Sequence, residues 1–252
     1  MPAAHLAARR CPKPRPAAAD QDGGVASRAG GLIDRVRRWA GGFLPGADER
    51  RRQTADYAAA WVPDNEAALQ AAGPLWVALG DSTAQGIGTS SREHSYVLVV
   101  LRALREQRDP TWRVANLSRT GSRVSDVIKE QLPRLEELSP DLVSCAAGAN
   151  DLVPTPQRRL ERDLRELASR LPPGSLLANL PQGLAPRRAL RINALIAELV
   201  AEYDLVLVDL WSQTGPPWEG KFSSDHFHPN DTGYTNWAAA FFEVLELEPP
   251  SS

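Results

Sequence analysis

The chain has 252 residues, of which 42% are hydrophobic and 24% are charged, and its formal net charge is −2. These proportions are typical of globular proteins with one large domain or a domain plus an arm, and the near-balance of charge argues against nucleic acid as the main partner. No apolar run approaches about 18 residues, so a membrane-spanning helix is not expected. Because Cys11 and Cys145 are the only cysteines, a disulfide scaffold is excluded and a cytoplasmic location is expected.

The first 73 residues differ in composition from the rest. Residues 1–31 are mainly Ala, Pro, Gly and Arg, which predicts a disordered tail, since such a segment cannot bury enough apolar surface to offset its ordering entropy. Its basic residues are not followed by an apolar run, so a secretory signal is not expected. Residues 32–73 are predicted to form a helical N-terminal extension, with one helix over 32–43 and a second over 48–72 that breaks near Pro63.

The segment 32–43 carries apolar residues at spacings of three and four, namely Leu32, Ile33, Val36, Trp39 and Phe43. This spacing is typical of an amphipathic helix. Such a helix can contact a membrane surface or a partner, but packing on the main domain is the commoner arrangement and is favoured here.

From Pro74 onward, short apolar runs alternate with longer helical patterns. The runs predict five buried strands, Leu75–Leu79, Trp112–Leu117, Leu142–Ala147, Ser175–Ala178 and Leu205–Val208. Helical periods follow them at 95–107, 123–138, 157–171, 187–203 and 233–247. Apolar strands separated by helices are typical of parallel strands covered on both faces. We therefore expect an α/β domain over 74–248 with an open, doubly wound sheet.

Small, polar and reactive residues gather at the ends of these predicted strands. Four segments supply them: Gly80-Asp81-Ser82, Asn116-Leu117-Ser118-Arg119-Thr120-Gly121, Gly148-Ala149-Asn150-Asp151 and, before the last helix, Asp225-His226-Phe227-His228-Pro229. Ligands of such sheets bind beyond the carboxyl ends of the strands. A functional site is therefore expected where these four segments meet.

One combination of these residues meets the needs of acyl transfer, which takes a nucleophile, a base, a group that orients the base, and donors for the oxyanion. Ser82 is the candidate nucleophile, His228 the candidate base and Asp225 its orienting partner. The candidate oxyanion donors are the backbone N–H groups of Ser82 and Gly121 and the side-chain amide of Asn150. Each motif alone more often serves a turn or a helix cap. Their combination at one edge favours catalysis.

The sequence resembles the SGNH hydrolase (GDSL esterase/lipase) family over about residues 75–245. The resemblance rests on Ser82 in Leu-Gly-Asp-Ser, Gly121 in Thr-Gly-Ser, Asn150 in Gly-Ala-Asn-Asp, and Asp225 with His228 in Asp-His-Phe-His-Pro. The run Leu-Gly-Asp-Ser-Thr-Ala-Gln-Gly-Ile-Gly is similar to the actinobacterial branch. Membership would imply a flavodoxin-like sheet of five parallel strands and hydrolysis of acyl esters without a metal or other cofactor.

Two other kinds of site fit the residues less well. His226 and His228 with Asp225 suggest a zinc site, but a hydrolytic zinc usually has three protein ligands, and no second histidine cluster supports one. Asp81, the remaining candidate ligand, has a simpler use in bonding the backbone of its own turn. The glycine-rich phosphate-binding motifs are missing from the strand ends, which argues against a nucleotide. No metal or cofactor is therefore expected.

Aromatic residues are frequent in the segment before His228. Trp218, Phe222 and Phe227 can form an apolar wall for an acyl chain or an aromatic leaving group, or can belong to the core. We take these three as candidate substrate-binding residues. Cys145, inside the predicted third strand, is expected to be a buried and unreactive thiol.

The sequence therefore predicts a serine hydrolase that cleaves a small or medium acyl ester. An acyltransferase with the same site, and a catalytically silent binding or scaffold protein, remain as alternatives. The fold hosts esterases, thioesterases, lysophospholipases and sugar deacetylases, so the resemblance does not single out an acyl group or an alcohol.

Overall fold

The computed structural model describes residues 47–250, so the predicted tail at 1–31 and the predicted helix at 32–43 lie outside the described residues. The first element is helix α1 (Ala47–Gln70). The predicted break near Pro63 is wrong, because α1 continues through that residue. Pro63 is exposed, while Trp61 and Asn65 on either side contact the rest of the domain. These tertiary contacts hold the helix across the backbone N–H that proline lacks.

Five parallel strands form one sheet in the order β2-β1-β3-β4-β5. They are β1 (Leu75–Gly80), β2 (Arg113–Asn116), β3 (Leu142–Ala146), β4 (Leu176–Ala178) and β5 (Val206–Val208). In the centre, Val77 of β1 pairs with Ala115 of β2 and with Val143 of β3. This strand order is that of flavodoxin-like sheets. The predicted α/β class and five-stranded parallel sheet are confirmed.

The helices follow the predicted periods closely. They are α2 (Ser82–Gln85), α3 (Tyr96–Gln107), α4 (Val124–Asp126), α5 (Leu132–Glu136), α6 (Gln157–Arg170), α7 (Pro186–Glu202), α8 (Leu210–Gln213) and α9 (Asp231–Leu245). Residues Val127–Gln131 form a π-helical turn between α4 and α5, and short 3-10 turns cover Arg92–His94 and Ala149–Asp151. Helix α9 starts two residues before the predicted position, because the Asn230 side chain caps it by accepting from the Gly233 N–H.

Helices cover both faces of the sheet. Side chains alternate along a strand, so Val77 and Leu79 of β1 face one way and pack with α4 to α7, whereas Trp76 and Ala78 face the other way and pack with α1, α3 and α9. The prediction of a parallel sheet covered by helices on both faces is therefore confirmed, and the domain has three layers. Within residues 47–250, the helices lack the length and apolar character that crossing a membrane would require.

Candidate active site

The turn after the central strand positions Ser82. Strand β1 ends at Gly80, and the Asp81 side chain then caps α2 by accepting hydrogen bonds from the N–H and the hydroxyl of Thr83, at 2.9 and 2.8 Å. Ser82 is thus the first residue of a short helix, where backbone N–H groups lack intrahelical partners. Its side chain is buried. The turn therefore holds both the hydroxyl and the N–H of Ser82 in fixed positions.

A chain of hydrogen bonds joins Ser82, His228 and Asp225. The Oγ of Ser82 lies 2.9 Å from Nε2 of His228, and Nδ1 of His228 lies 2.6 Å from Oδ2 of Asp225. All three side chains are buried. In this arrangement the imidazole can take the Ser82 proton while the carboxylate fixes the ring and stabilises its charged form.

Asp225 receives five hydrogen bonds. Its Oδ1 accepts from the Ser223 hydroxyl at 2.8 Å and from the backbone N–H groups of Phe227 and His228, both at 2.9 Å. Its Oδ2 accepts from His228 and from the Arg50 guanidinium, the latter at 3.2 Å. Burial raises the pKa of Asp225, but the hydrogen bonds and charge of His228 outweigh it and hold the pKa well below its ordinary value. Asp225 is therefore an anion at neutral pH.

Close packing fixes the backbone around His228. A Cβ on Gly88 would lie 2.3 Å from the Pro229 carbonyl oxygen and 2.8 Å from the His228 Cβ, and the φ of Gly88 is +104°. Only glycine combines that conformation with that approach. The ring of Phe227 stands edge-on to the imidazole, with 4.9 Å between centroids. His228 is therefore contacted by the loop that contains Gly88 and by the neighbouring residue Phe227 of its own segment.

The other two candidate oxyanion donors lie on neighbouring loops. Gly121 has a φ of +83°, and a Cβ there would meet no described atom within 4 Å, so its conformation rather than crowding calls for glycine. The Nδ2 of Asn150 donates to the Ser122 carbonyl at 3.0 Å and to Oδ2 of Asp81 at 3.3 Å. The bond to Ser122, the residue next to Gly121, ties these two loops together.

Two glutamines that the sequence analysis did not single out hold these loops in place. Gln131 pairs with both the N–H and the C=O of Gly80, at 2.9 and 2.8 Å. Gln85 donates to the Ser118 carbonyl at 3.1 Å and accepts from the N–H and hydroxyl of Thr120. A glutamine on the apolar face that Ile128 and Leu132 define was a readable signal for Gln131, because a polar residue in such a position needs a partner.

The three candidate aromatic residues are not brought to one point. The ring of Phe227 contacts that of His228. Phe222 forms a β-bridge with Pro229 and packs against Trp218, with 6.0 Å between the ring centroids. Trp218 is 41% exposed. Phe227 therefore lies against the imidazole of His228, and Trp218 with Phe222 forms a separate aromatic pair earlier in the same loop.

The remaining titratable side chains have other surroundings. Burial, followed by the nearby Asp81 charge, raises the pKa of Cys145 to about 12, so this thiol is neutral, as expected. His94 is paired at the surface, because its Nδ1 lies 3.0 Å from the Ser90 hydroxyl and 2.9 Å from Asp231. His226 is exposed. In the part of the chain that the structure describes, no three metal-ligating side chains are placed to hold an ion.

A cleft opens on the carboxylate side of the site. It encloses about 420 Å³, and its walls include Arg50 and Gln53 of α1, the loop at 87–90, and the segment from Ser223 to Asp225. The cleft therefore borders Asp225, and neither Ser82 nor His228 is among the residues that line it.

A parallel sheet of this order, with Ser82, His228 and Asp225 hydrogen-bonded beyond its strand ends, is consistent with a hydrolase of the SGNH type. The family model of the GDSL-like Lipase/Acylhydrolase family matches residues 78–235. The chain belongs to that family and is an ester hydrolase. The resemblance inferred from the motifs is confirmed at the level of the family.

Several solved structures share the fold. LAE5, an α/β hydrolase from the metagenome of Lake Arreo in Spain, is 22% identical over 70% of this chain and 96% of its own, with a TM-score of 0.58. TesA is 21% identical over 68% of this chain and 98% of its own, with a TM-score of 0.59. Axe2, an acetylxylan esterase from Geobacillus stearothermophilus, is 20% identical over 72% and 98%, with a TM-score of 0.58. No curated protein is significantly similar in sequence to this chain.

Proposed function

We propose that the chain hydrolyses small or medium acyl esters with Ser82 as nucleophile, His228 as general base and Asp225 as the group that orients His228. The observation that carries this proposal is the unbroken chain of two hydrogen bonds, 2.9 and 2.6 Å long, from Ser82 to Asp225. In water a serine hydroxyl is a weak nucleophile. A base within hydrogen-bond reach, held by a buried anion, removes that limitation.

The reaction proceeds in two halves. Ser82 Oγ attacks the ester carbonyl while His228 takes its proton, and the protonated imidazole then gives that proton to the departing alcohol. Water, activated by His228, hydrolyses the acyl-enzyme and restores Ser82. Through both halves Asp225 remains an anion, since its pKa lies well below neutrality.

The oxyanion that forms in each half is bound by the N–H of Ser82, the N–H of Gly121 and the amide of Asn150. Both amide hydrogens of Asn150 are engaged, one at 3.0 Å with Ser122 and the other at 3.3 Å with Asp81. The longer bond is the one to be exchanged for the oxyanion. Loss of one such donor typically costs about 2.7–4 kcal/mol of transition-state stabilisation, so Asn150→Ala lowers kcat more than it changes KM.

Phe227, Phe222 and Trp218 are proposed to contact the acyl chain or the leaving group, with Phe227 nearest the reacting atoms because its ring touches His228. The run from Leu79 to Gly88 supports a place in the actinobacterial branch of the family. Neither point depends on the other.

The test is hydrolysis of p-nitrophenyl esters from acetate to decanoate, with the wild type and Ser82→Ala side by side. Ser175→Ala is the matched control. Ser175 is also buried, but it directly precedes β4 and so lies at the amino ends of the strands, opposite to the carboxyl ends where Ser82 lies. We expect Ser82→Ala to lose hydrolysis and fluorophosphonate labelling, and Ser175→Ala to keep both. The preferred chain length then measures the size of the acyl pocket.

Undiminished hydrolysis by Ser82→Ala would refute the proposed nucleophile. Product analysis with added alcohols separates hydrolysis from the alternative of acyl transfer, because a transferase forms a new ester where a hydrolase forms the free acid. A wild type that resists fluorophosphonate labelling and leaves every ester intact would favour the silent binding protein.

A further inference from the structure

Helix α1 lies outside the segment that the family model matches, residues 78–235, yet it reaches the candidate active site. Arg50, in the first turn of α1, donates from Nη1 to Oδ2 of Asp225 at 3.2 Å. This is the same oxygen that accepts the 2.6 Å hydrogen bond from Nδ1 of His228. A contact from α1 to Asp225 therefore comes from outside the segment that the family model matches.

Hydrogen bonds next to Arg50 hold the start of α1 against the loop that packs on His228. Gln53, one turn after Arg50 and on the same helix face, accepts from the Gly88 N–H at 2.9 Å and donates to the Thr89 carbonyl at 2.7 Å. Gly88 is the residue that approaches the His228 Cβ. Arg50 and Gln53, which lie one turn of helix apart, therefore bind the Asp225 carboxylate and the loop that contains Gly88.

The middle of α1 is also bound to the rest of the domain by hydrogen bonds. Trp61 is 3% exposed and donates from its indole to the Gln85 carbonyl at 3.3 Å. Asn65 pairs with both the N–H and the C=O of Asn116 on the edge strand β2, at 2.7 and 2.8 Å. These contacts fix the rotation and the register of α1, and with them the place of Arg50.

We propose that Arg50 is a positioning residue for the active site: it holds the Asp225 carboxylate and competes with the charged imidazole for the same oxygen atom. The proposal rests on the function proposed above for Ser82, His228 and Asp225. A guanidinium beside the carboxylate opposes accumulation of positive charge on His228 before substrate binds. Loss of Arg50 is therefore expected to favour the charged imidazole over the neutral imidazole that acts as the base.

The charged groups around His228 and Asp225 determine how the loss of Arg50 changes the protonation of the imidazole. Burial raises the pKa of Asp81 at the end of β1, while its hydrogen bonds with Thr83 and then the His228 charge oppose that rise; a charged Asp81 in turn favours the protonated imidazole. Tyr234 of α9 also faces the site, but its pKa is raised well above its ordinary value by burial first and by Asp81 next, so it stays neutral. Arg50 is the positive charge that α1 brings to Asp225. Its removal leaves the protonated imidazole between Asp81 and Asp225 with less opposition.

The expected size of the effect is moderate. The Arg50 side chain is 28% exposed and borders the cleft behind Asp225, so water and salt screen its charge. For one such partly screened charge near the imidazole, the acidic limb of the pH profile of kcat/KM should move by about 0.5–1 pH unit. Looser positioning of Asp225 should lower the plateau by about 3–10-fold.

The experiment compares the pH profiles of kcat/KM for wild type, Arg50→Gln and Arg50→Lys on one p-nitrophenyl ester, with Arg52→Gln as the matched control from the exposed side of the same helix. We expect the midpoint of the acidic limb of Arg50→Gln to rise by about 0.5–1 pH unit. Arg50→Lys keeps the positive charge, so the midpoint of its acidic limb should stay close to that of the wild type. Arg52→Gln should leave the profile unchanged. Raised salt should move the wild-type limb towards that of Arg50→Gln.

An unchanged acidic limb in Arg50→Gln would overturn the proposal, whether or not the plateau falls. A lower thermal midpoint with a lower plateau but no shift of the limb would show a merely structural role. Failure of the underlying function is separately visible, because it appears as hydrolysis that survives Ser82→Ala.

Discussion

Gln131 offers a sharp test of how the site is held together. Its carboxamide is 2% exposed and satisfies both the N–H and the C=O of Gly80, the last residue of β1 and two positions before Ser82. Gln131→Leu keeps a similar volume, so little of its effect comes from a cavity. It leaves the buried N–H of Gly80 unpaired, at about 1–3 kcal/mol, whereas the Gly80 carbonyl keeps a hydrogen bond from the Arg119 N–H at 3.3 Å. The expected loss is therefore about 1–3 kcal/mol in the free energy of unfolding.

The chain supplies a matched control on its surface. Gln107 makes the same double pairing, with the N–H and the C=O of Glu248 at 2.9 and 2.7 Å, but it is exposed. Water can replace its bonds, so Gln107→Leu should change the free energy of unfolding by no more than about 0.5 kcal/mol. Urea unfolding of both variants at pH 7 measures the difference. Equal losses would refute the reasoning, because they would show that burial of the paired backbone groups does not set the cost.

Two further predictions concern the titration of buried groups. The pKa of Asp225 is lower in the folded protein than in the unfolded chain, so its contribution to stability is present above the unfolded value of about 3.9 and is lost as pH falls through the folded one. Urea unfolding should therefore show a constant difference between wild type and Asp225→Asn above about pH 5 that shrinks as the pH falls below about 4, whereas a difference that grows on acidification would contradict this. In a Cys11→Ser background, Cys145, with a pKa of about 12, should react with a thiol reagent at pH 8 only after denaturation, and prompt reaction of the native protein would show that the thiol is accessible.

The sheet could be predicted because each strand is a short, nearly continuous apolar run. Leu75–Leu79 and Leu142–Ala147 differ from the observed strands by a single residue at one end. The prediction failed at Pro63, where local backbone chemistry favours a break but the contacts of Trp61 and Asn65 hold the helix together. Packing partners far away in the sequence decided that point.

The residues of the candidate triad could be chosen from their motifs, and the structure brings Ser82, His228 and Asp225 within hydrogen-bond distance; their catalytic roles stay predictions. Residues that support the site were not predictable in this way. Arg50 meets Asp225 across 175 positions of sequence and Gln131 meets Gly80 across 51. Neither lies in a motif, and an arginine within Arg50-Arg51-Arg52 reads as one more exposed charge of a polar helix.

The π-helical turn at Val127–Gln131 determines which way the residues after it face. A π turn accommodates one residue more than an α turn. If the same residues formed a regular α-helix, everything after the turn would be rotated by about 100° relative to Val124. Gln131 would then point away from Gly80, and Leu132 and Leu135 would leave the core in which they are now buried. Exposed Lys129 and Glu130 can therefore be exchanged for other residues during evolution, whereas the extra residue can be lost only together with the π turn itself.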